Sequence, residues 1–364
     1  MKIVDVQAFQ FSLPCRDNLR VKQTLIRNRD GFLLKVTSDD GYVGYGEISP
    51  LPGFSRELSV NVPDILKDVK TRLLNHVVPS HIERMEGKIS HFLEDELFSP
   101  AVRCGIDMAL LFLAAHAQHM SLSRLINHGH SKHIPVTCLL QGDRESILRE
   151  AREKLRAGIH VFKLKVGGDD LQDDIDKFNG LCEVIKDKGW VRLDANQQWD
   201  LDSAVKFAQA VDFVSIEYIE DPLKDVGAIP EFFHRTMIPV ALDEAVQKLD
   251  FKLLKSIEGV DVLVVKPTVF GGLEKTWRLA HQAKALGMRT IISSSFESGL
   301  GIVALAHFSS CLSHNVPMGL DTLKWFAKDI LLDPPPVENG MFVIGDELFD
   351  TKQIDDSMLH EIPL

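Results

Sequence analysis

The pattern of hydrophobic and polar positions changes rhythm once along the chain. The opening MKIVDVQAFQFSL alternates apolar with polar residues, the two-residue period of a strand with one buried face, and it reads as an edge strand. FLLKVTSDDGYVGYG (32–46) is two such runs around Asp40 and Gly41, a dipeptide that favours a hairpin turn. GEISPLPGFSRE (46–57) is too rich in proline and glycine for either element, and helical spacing follows through roughly 58–97. These stretches predict a small α+β unit.

From about Pro135 short apolar strands alternate with amphipathic helical stretches, the pattern of repeated βα units. The strands are VTCLL, VFKLKVG, VRLDAN, VSIEYIEDP, PVALDEA, VLVVKP, TIISSS and MGLDT. Eight of them predict a parallel barrel closed on itself, with a doubly wound open sheet as the alternative. After Trp325 the rhythm lapses. LLDPPPVENG leads into MFVIG, which reads as a last strand returning to the N-terminal unit. MALLFLAAHA (108–117) is too short to span a bilayer and reads as a buried helix.

Each barrel strand is apolar along its length and polar at its C-terminal end: Lys163 and Lys165, then Asp194, Glu220, Asp243 and Lys266. In a barrel these ends form one rim, so residues far apart in sequence converge there. Parity supports convergence. Phe162 and Leu164 share one face of their strand and the two lysines the other, while Leu193, Ile219, Leu242 and Val265 point away from their charged neighbours. Glu217 has the opposite parity to Glu220. A single acid at a strand end is usually a turn former or helix cap, and a lysine pair can simply line a solvated edge strand. Six such charges in succession point instead to a site. Burial and mutual repulsion would lower the lysine pKa values towards those useful for proton transfer. Three carboxylates from adjacent strands suit a hard cation such as Mg2+.

Charge and composition narrow the partners. A net charge of −11 with no basic run excludes nucleic acid or an anionic membrane surface as the main partner and leaves a small molecule. The start lacks the charged and apolar regions of an export signal, and the five cysteines form no CxxC pair, so a reducing cytoplasm is expected. His128, His130 and His133 fall in a polar, glycine-containing stretch and read as a solvated loop. Ser298 in ESGLG lacks the first glycine of a hydrolase elbow, and Gly271-Gly272 reads as a tight turn more readily than a phosphate cradle. The oligomeric state stays open.

KLK, LDAN, IEDP, ALDE and VVKP together resemble the lysine pair, three metal ligands and opposing lysine of the enolase superfamily, in its muconate-lactonizing subgroup. GEISPLPGFSRE, VKPTVFGGLEK, ISSSFESGLG and GLDTL further resemble the o-succinylbenzoate synthase family, so the likeness reaches both ends of the chain. It implies an α/β fold: an α+β capping domain (1–100), a (β/α)7β TIM-like barrel (101–325) and a C-terminal segment (326–364) returning to the cap. It implies one Mg2+ ion on Asp194, Glu220 and Asp243, with Lys165 as base, Lys163 beside it and Lys266 across the barrel. Asn196, Ser293, Ser295 and Gly319 are implied substrate contacts, with Arg192 in support. The implied reaction is a dehydration that forms o-succinylbenzoate for menaquinone biosynthesis. Racemisation of N-succinylamino acids on the same site, or a non-catalytic barrel, are the alternatives. Three departures matter: the fourth-strand motif has Asp221 where relatives often carry Glu or Gln, GLDT lacks the paired aspartates of dipeptide epimerases, and no His-Asp dyad of the mandelate racemase kind is present.

Overall fold

The computed structural model describes residues 1–22, 24–79, 85, 98–247, 257–312 and 315–364. Most of the second half of the helical stretch expected over 58–97 therefore lies outside the described residues; the first half contains the helix Val62–Leu73.

The N-terminal alternation produces a long two-stranded ribbon, β1 (Ile3–Val21) against β2 (Thr24–Ser38), followed by β3 (Val43–Ile48). The turn between β2 and β3 falls on Asp40 and Gly41, with Gly41 at φ +82° as a hairpin turn needs. β1 is not an edge strand. The C-terminal strand His360–Ile362 pairs antiparallel with it at Ala8, Phe9 and Gln10, so the last residues cover that side. MFVIG does not return to this sheet. Met341–Val343 pairs with His133–Pro135 at the N-terminal end of the barrel, because a second short alternating run nearer the chain end, HEI, takes the place beside β1.

The helix Pro100–Ala117 begins eight residues before the apolar run read from the sequence and is buried for almost its whole length. It is long and apolar enough to cross a membrane, yet 89% of it is buried inside the protein, as a core helix is. It lies on the capping sheet at unusually close range. A Cβ added to Gly44 would fall 2.0 Å from the carbonyl oxygen of Ala109, and one added to Gly46 1.8 Å from that of Gly105. Only glycine permits that approach. On its other side Asp107 accepts the backbone N–H of Glu274 at 3.1 Å, beside Gly272, so the glycine pair is a tight turn closed by a carboxylate.

Seven parallel strands follow: β4 (Thr137–Leu140), β5 (Val161–Lys165), β6 (Trp190–Asp194), β7 (Ile216–Glu220), β8 (Val240–Leu242), β9 (Val260–Val265) and β10 (Arg289–Ile292). Met318 and Gly319 of MGLDT close the ring, bridging in parallel to Val136 on one side and Ser293 on the other. Between strands, aspartates start the helices: Asp143, Asp170 and Asp200 accept backbone N–H groups of the first turn. The fold is a (β/α)7β TIM-like barrel under an α+β cap. The cap lies over the strand C-termini, where its Val21, Leu51 and Phe54 share a cavity with Lys165, Asp194, Asp243 and Lys266.

Candidate active site

At that face Lys163, Lys165, Asp194, Asp243 and Lys266 line a cavity of about 70 Å³. Asn196, Ser293 and Gly319 line it too. A Cβ on Gly319 would stand 2.9 Å from Ser293 Oγ, so glycine keeps that hydroxyl clear. Glu220 is fully buried just behind, reached through Lys163. Ser295 is placed differently from its neighbours. It is buried outside the cavity, its N–H donating to Glu297 at 2.7 Å, and Ser294 and Phe296 line the wall instead. Arg192 is also off the cavity, one layer down the barrel, donating to Thr137 Oγ1 at 2.7 Å and to Glu217 at 2.7 Å. A register shift between β6 and β7 brings Glu217 onto Arg192, which strict alternation would not.

The two lysines of KLK diverge electrostatically. Lys163 Nζ lies 2.9 Å from Asp194 and 2.7 Å from Glu220. Burial alone would lower its pKa, but Asp194, Glu220 and Asp243 outweigh it and hold Lys163 well above the ordinary value, contrary to the expectation of a depressed pair. Lys165 makes no ion pair with a carboxylate among the described residues and donates to Asn196 Oδ1 at 3.2 Å. Burial lowers its pKa; Asp194 opposes this, and the positive charges of Lys163 and Lys266 add to the lowering. Lys266 pairs with Asp243 and lies 5.0 Å over the ring of Phe54. Its pKa is raised because Asp243 overcomes the effect of burial.

The three carboxylates are each buried, and Lys163 Nζ bridges two of them, Asp194 and Glu220. Burial first, then Asp194, pushes Glu220 up to about 8, even with Lys163 opposing. Among the described residues no three acidic, histidine or cysteine side chains converge on one cation position; ammonium groups occupy the carboxylates instead. An all-oxygen, threefold anionic donor set that raises the pKa of one of its own members fits a hard divalent cation.

Sequence reasoning missed the residues that aim this rim. Asp221, next to Glu220, adopts φ +41° and its carboxylate accepts the N–H groups of Asp243 at 3.3 Å and Glu244 at 2.9 Å, fixing the neighbouring strand end. Asn196 and Phe296 also have positive φ, and strained backbone of this kind collects at functional sites. The cap supplies Val21, Leu51 and Phe54 to the cavity. Arg29, buried at the join, donates to the carbonyls of Ser49, Pro50, Ser295 and Phe296 and of its neighbour Asp30. No periodicity marks these; the proline- and glycine-rich loop was the available signal.

A cap over a parallel barrel, with lysines facing carboxylates at the rim, defines an enolase-type protein. The N-succinyl Arg/Lys racemase from Bacillus cereus shares this fold with a TM-score of 0.87 at 21% identity, covering 100% of both chains. The description "Enolase C-terminal domain-like" matches residues 146–347, and "MenC, N-terminal domain" matches 3–113. The o-succinylbenzoate synthase of Aliivibrio salmonicida is 31% identical over 341 residues, 93% of this chain and 96% of that protein. Protein PHYLLO of Arabidopsis thaliana is 30% identical over 347 residues; the match takes in 84% of this chain and 20% of that protein. The chain belongs to the enolase superfamily and, within it, to the o-succinylbenzoate synthase family.

Proposed function

We propose that this chain is a lyase that dehydrates 2-succinyl-6-hydroxy-2,4-cyclohexadiene-1-carboxylate to o-succinylbenzoate, a step of menaquinone biosynthesis, with one Mg2+ ion. The observation that carries the reading is the asymmetry of the rim: among the described residues Lys165 hydrogen-bonds to an amide and has its pKa lowered, while Lys163 and Lys266 are ion-paired with carboxylates and have theirs raised. Family membership supplies the substrate.

Asp194, Glu220 and Asp243 would hold the ion. When bound, it supplies positive charge beside the substrate carboxylate, where negative charge builds up as the α-proton leaves. Lys165 Nζ takes the proton from the ring carbon that bears the carboxylate. The electrons of that C–H bond form the last ring double bond as the C–O bond to the neighbouring hydroxyl breaks. Lys165 then returns its proton to the departing oxygen, which leaves as water, so one base on one face balances the reaction. Asn196 orients Lys165 through its 3.2 Å hydrogen bond. Lys163 keeps Lys165 from becoming too basic, and Lys266 places fixed charge on the opposite side. Phe54 and Leu51 shield the cavity from water.

The test is a dehydration assay on the purified chain. Turnover should require Mg2+, stop reversibly with a chelator, and fall by about 10²-fold to 10⁴-fold in Lys165→Ala, the usual range for losing a general base. Near wild-type turnover in that variant, or turnover indifferent to chelator, would reject the assignment.

A further inference from the structure

We propose that Arg20, on the capping ribbon, is the recognition group for a second carboxylate of the substrate, the one remote from the reacting carbon. The inference rests on the reaction proposed above and adds a binding subsite to it.

The inner cavity is too small for the whole ligand. At about 70 Å³ it has room for roughly a few water molecules. It opens into an outer hollow of about 1480 Å³. Arg20, Gln141, Lys165 and Asn196 line both, and so form the collar between them. A ligand whose acidic C–H meets Lys165 Nζ must pass its remaining atoms through this collar. Arg20 and Gln141 then flank whatever extends outward.

The hollow is lined by more bases than acids. Its lining carries eight basic and five acidic side chains, in a chain whose net charge is −11. Several of its cations are already neutralised: Lys22 by Glu244 at 2.9 Å, Lys324 by Glu150 at 2.6 Å and Lys154 by Asp321 at 3.2 Å. Arg20 has no hydrogen-bond or ion-pair partner for its side chain among the described residues. Its guanidinium matches a carboxylate through two parallel hydrogen bonds, which a lysine cannot do. Val21, the next residue, is buried in the inner wall and so fixes the ribbon from which Arg20 projects.

The experiment is calorimetric binding to the Mg2+-loaded protein of two ligands: o-succinylbenzoate, and its monoamide in which the distal carboxylate is a neutral carboxamide of the same shape. The wild type should prefer the dicarboxylate by roughly fivefold, the scale of a partly exposed ion pair. Arg20→Gln should erase that preference while leaving monoamide affinity unchanged, and Arg20→Lys should restore part of it. If Arg20→Gln weakens both ligands equally, or neither, while the wild type binds the dicarboxylate, the subsite is wrong and the proposed reaction stands. If the folded wild type binds neither ligand, the reaction itself is wrong and the subsite falls with it.

Discussion

Lys163 and Lys165 are two positions apart on one strand, yet their surroundings shift their pKa values in opposite directions. The first is tied to Asp194 and Glu220, and the second hydrogen-bonds to the amide of Asn196. Lys266 belongs with the first: its ammonium is paired with Asp243. That difference bears on the choice between dehydration and racemisation. Dehydration needs one proton-transferring lysine, and Lys266 can act through charge alone. Racemisation needs Lys266 itself to carry a proton to the second face. Lys266→Arg keeps the charge and removes the base, because arginine does not deprotonate in this range. With an N-succinylamino acid in D₂O, exchange and racemisation should stop in this variant, whereas dehydration should fall by a much smaller factor. Misplacement of the larger guanidinium lowers both, so the ratio is what is read. Equal loss of both activities in a folded variant would end the division between a basic Lys165 and an electrostatic Lys266.

At the scale of elements, the barrel rim was legible because its signal repeats: apolar strand, polar end, helix. The repetition placed Lys163, Lys165, Asp194, Glu220, Asp243 and Lys266 together without any contact information. What broke the reading was local irregularity. Alternation has no means of locating the register shift that turns Glu217 onto Arg192, or of choosing which of two short terminal runs pairs with β1. Ser295 reads as a cavity residue only until the backbone turns at Phe296, φ +61°, and buries it. The helix Gly299–Leu312 holds a further consequence invisible in the pattern. Its His307 is buried, with Nδ1 3.0 Å from Ser123 Oγ, and burial, helped by His130, pushes its pKa down to about 4. An unfolded chain takes up that proton near the ordinary value of 6.5, while the folded chain refuses it until about 4. Above 6.5 the group costs nothing; between the two values acid favours unfolding, by up to about 1.4 kcal/mol per pH unit. His307→Gln removes this linkage. Urea midpoints measured at pH 7.5 and pH 5 should fall less in the variant than in the wild type, and identical falls would show that His307 accepts its proton while folded.

At the scale of the whole molecule, the site lies where cap meets barrel, and a buried cation is one of the groups that make that join. Arg29 reaches from β2 to the carbonyls of Ser49 and Pro50 in the cap loop and of Ser295 and Phe296 in the barrel loop. Beside it Glu47 accepts the N–H of Ser298 at 2.9 Å and that of Gly301 at 3.0 Å, fastening the cap strand to the start of a barrel helix. The loop so held carries Leu51 and Phe54 into the cavity, Phe54 lying over Lys266. Arg29 therefore holds the loop that carries Phe54 without itself lining the cavity. Arg29→Lys keeps the charge but has three donors and no fork, leaving buried carbonyls unpaired at a cost of about 2–4 kcal/mol in stability. Assayed well below its unfolding temperature, it should also lose kcat/KM. Phe54→Ala should lose about tenfold in kcat/KM through the same ring contact and shielding. Because both changes act through one loop, the double variant should lose no more kcat/KM than Phe54→Ala alone, while its stability falls by the sum. If the two losses of kcat/KM multiply instead, Arg29 reaches the chemistry by a route other than Phe54, and the cap loop is held in place by something else.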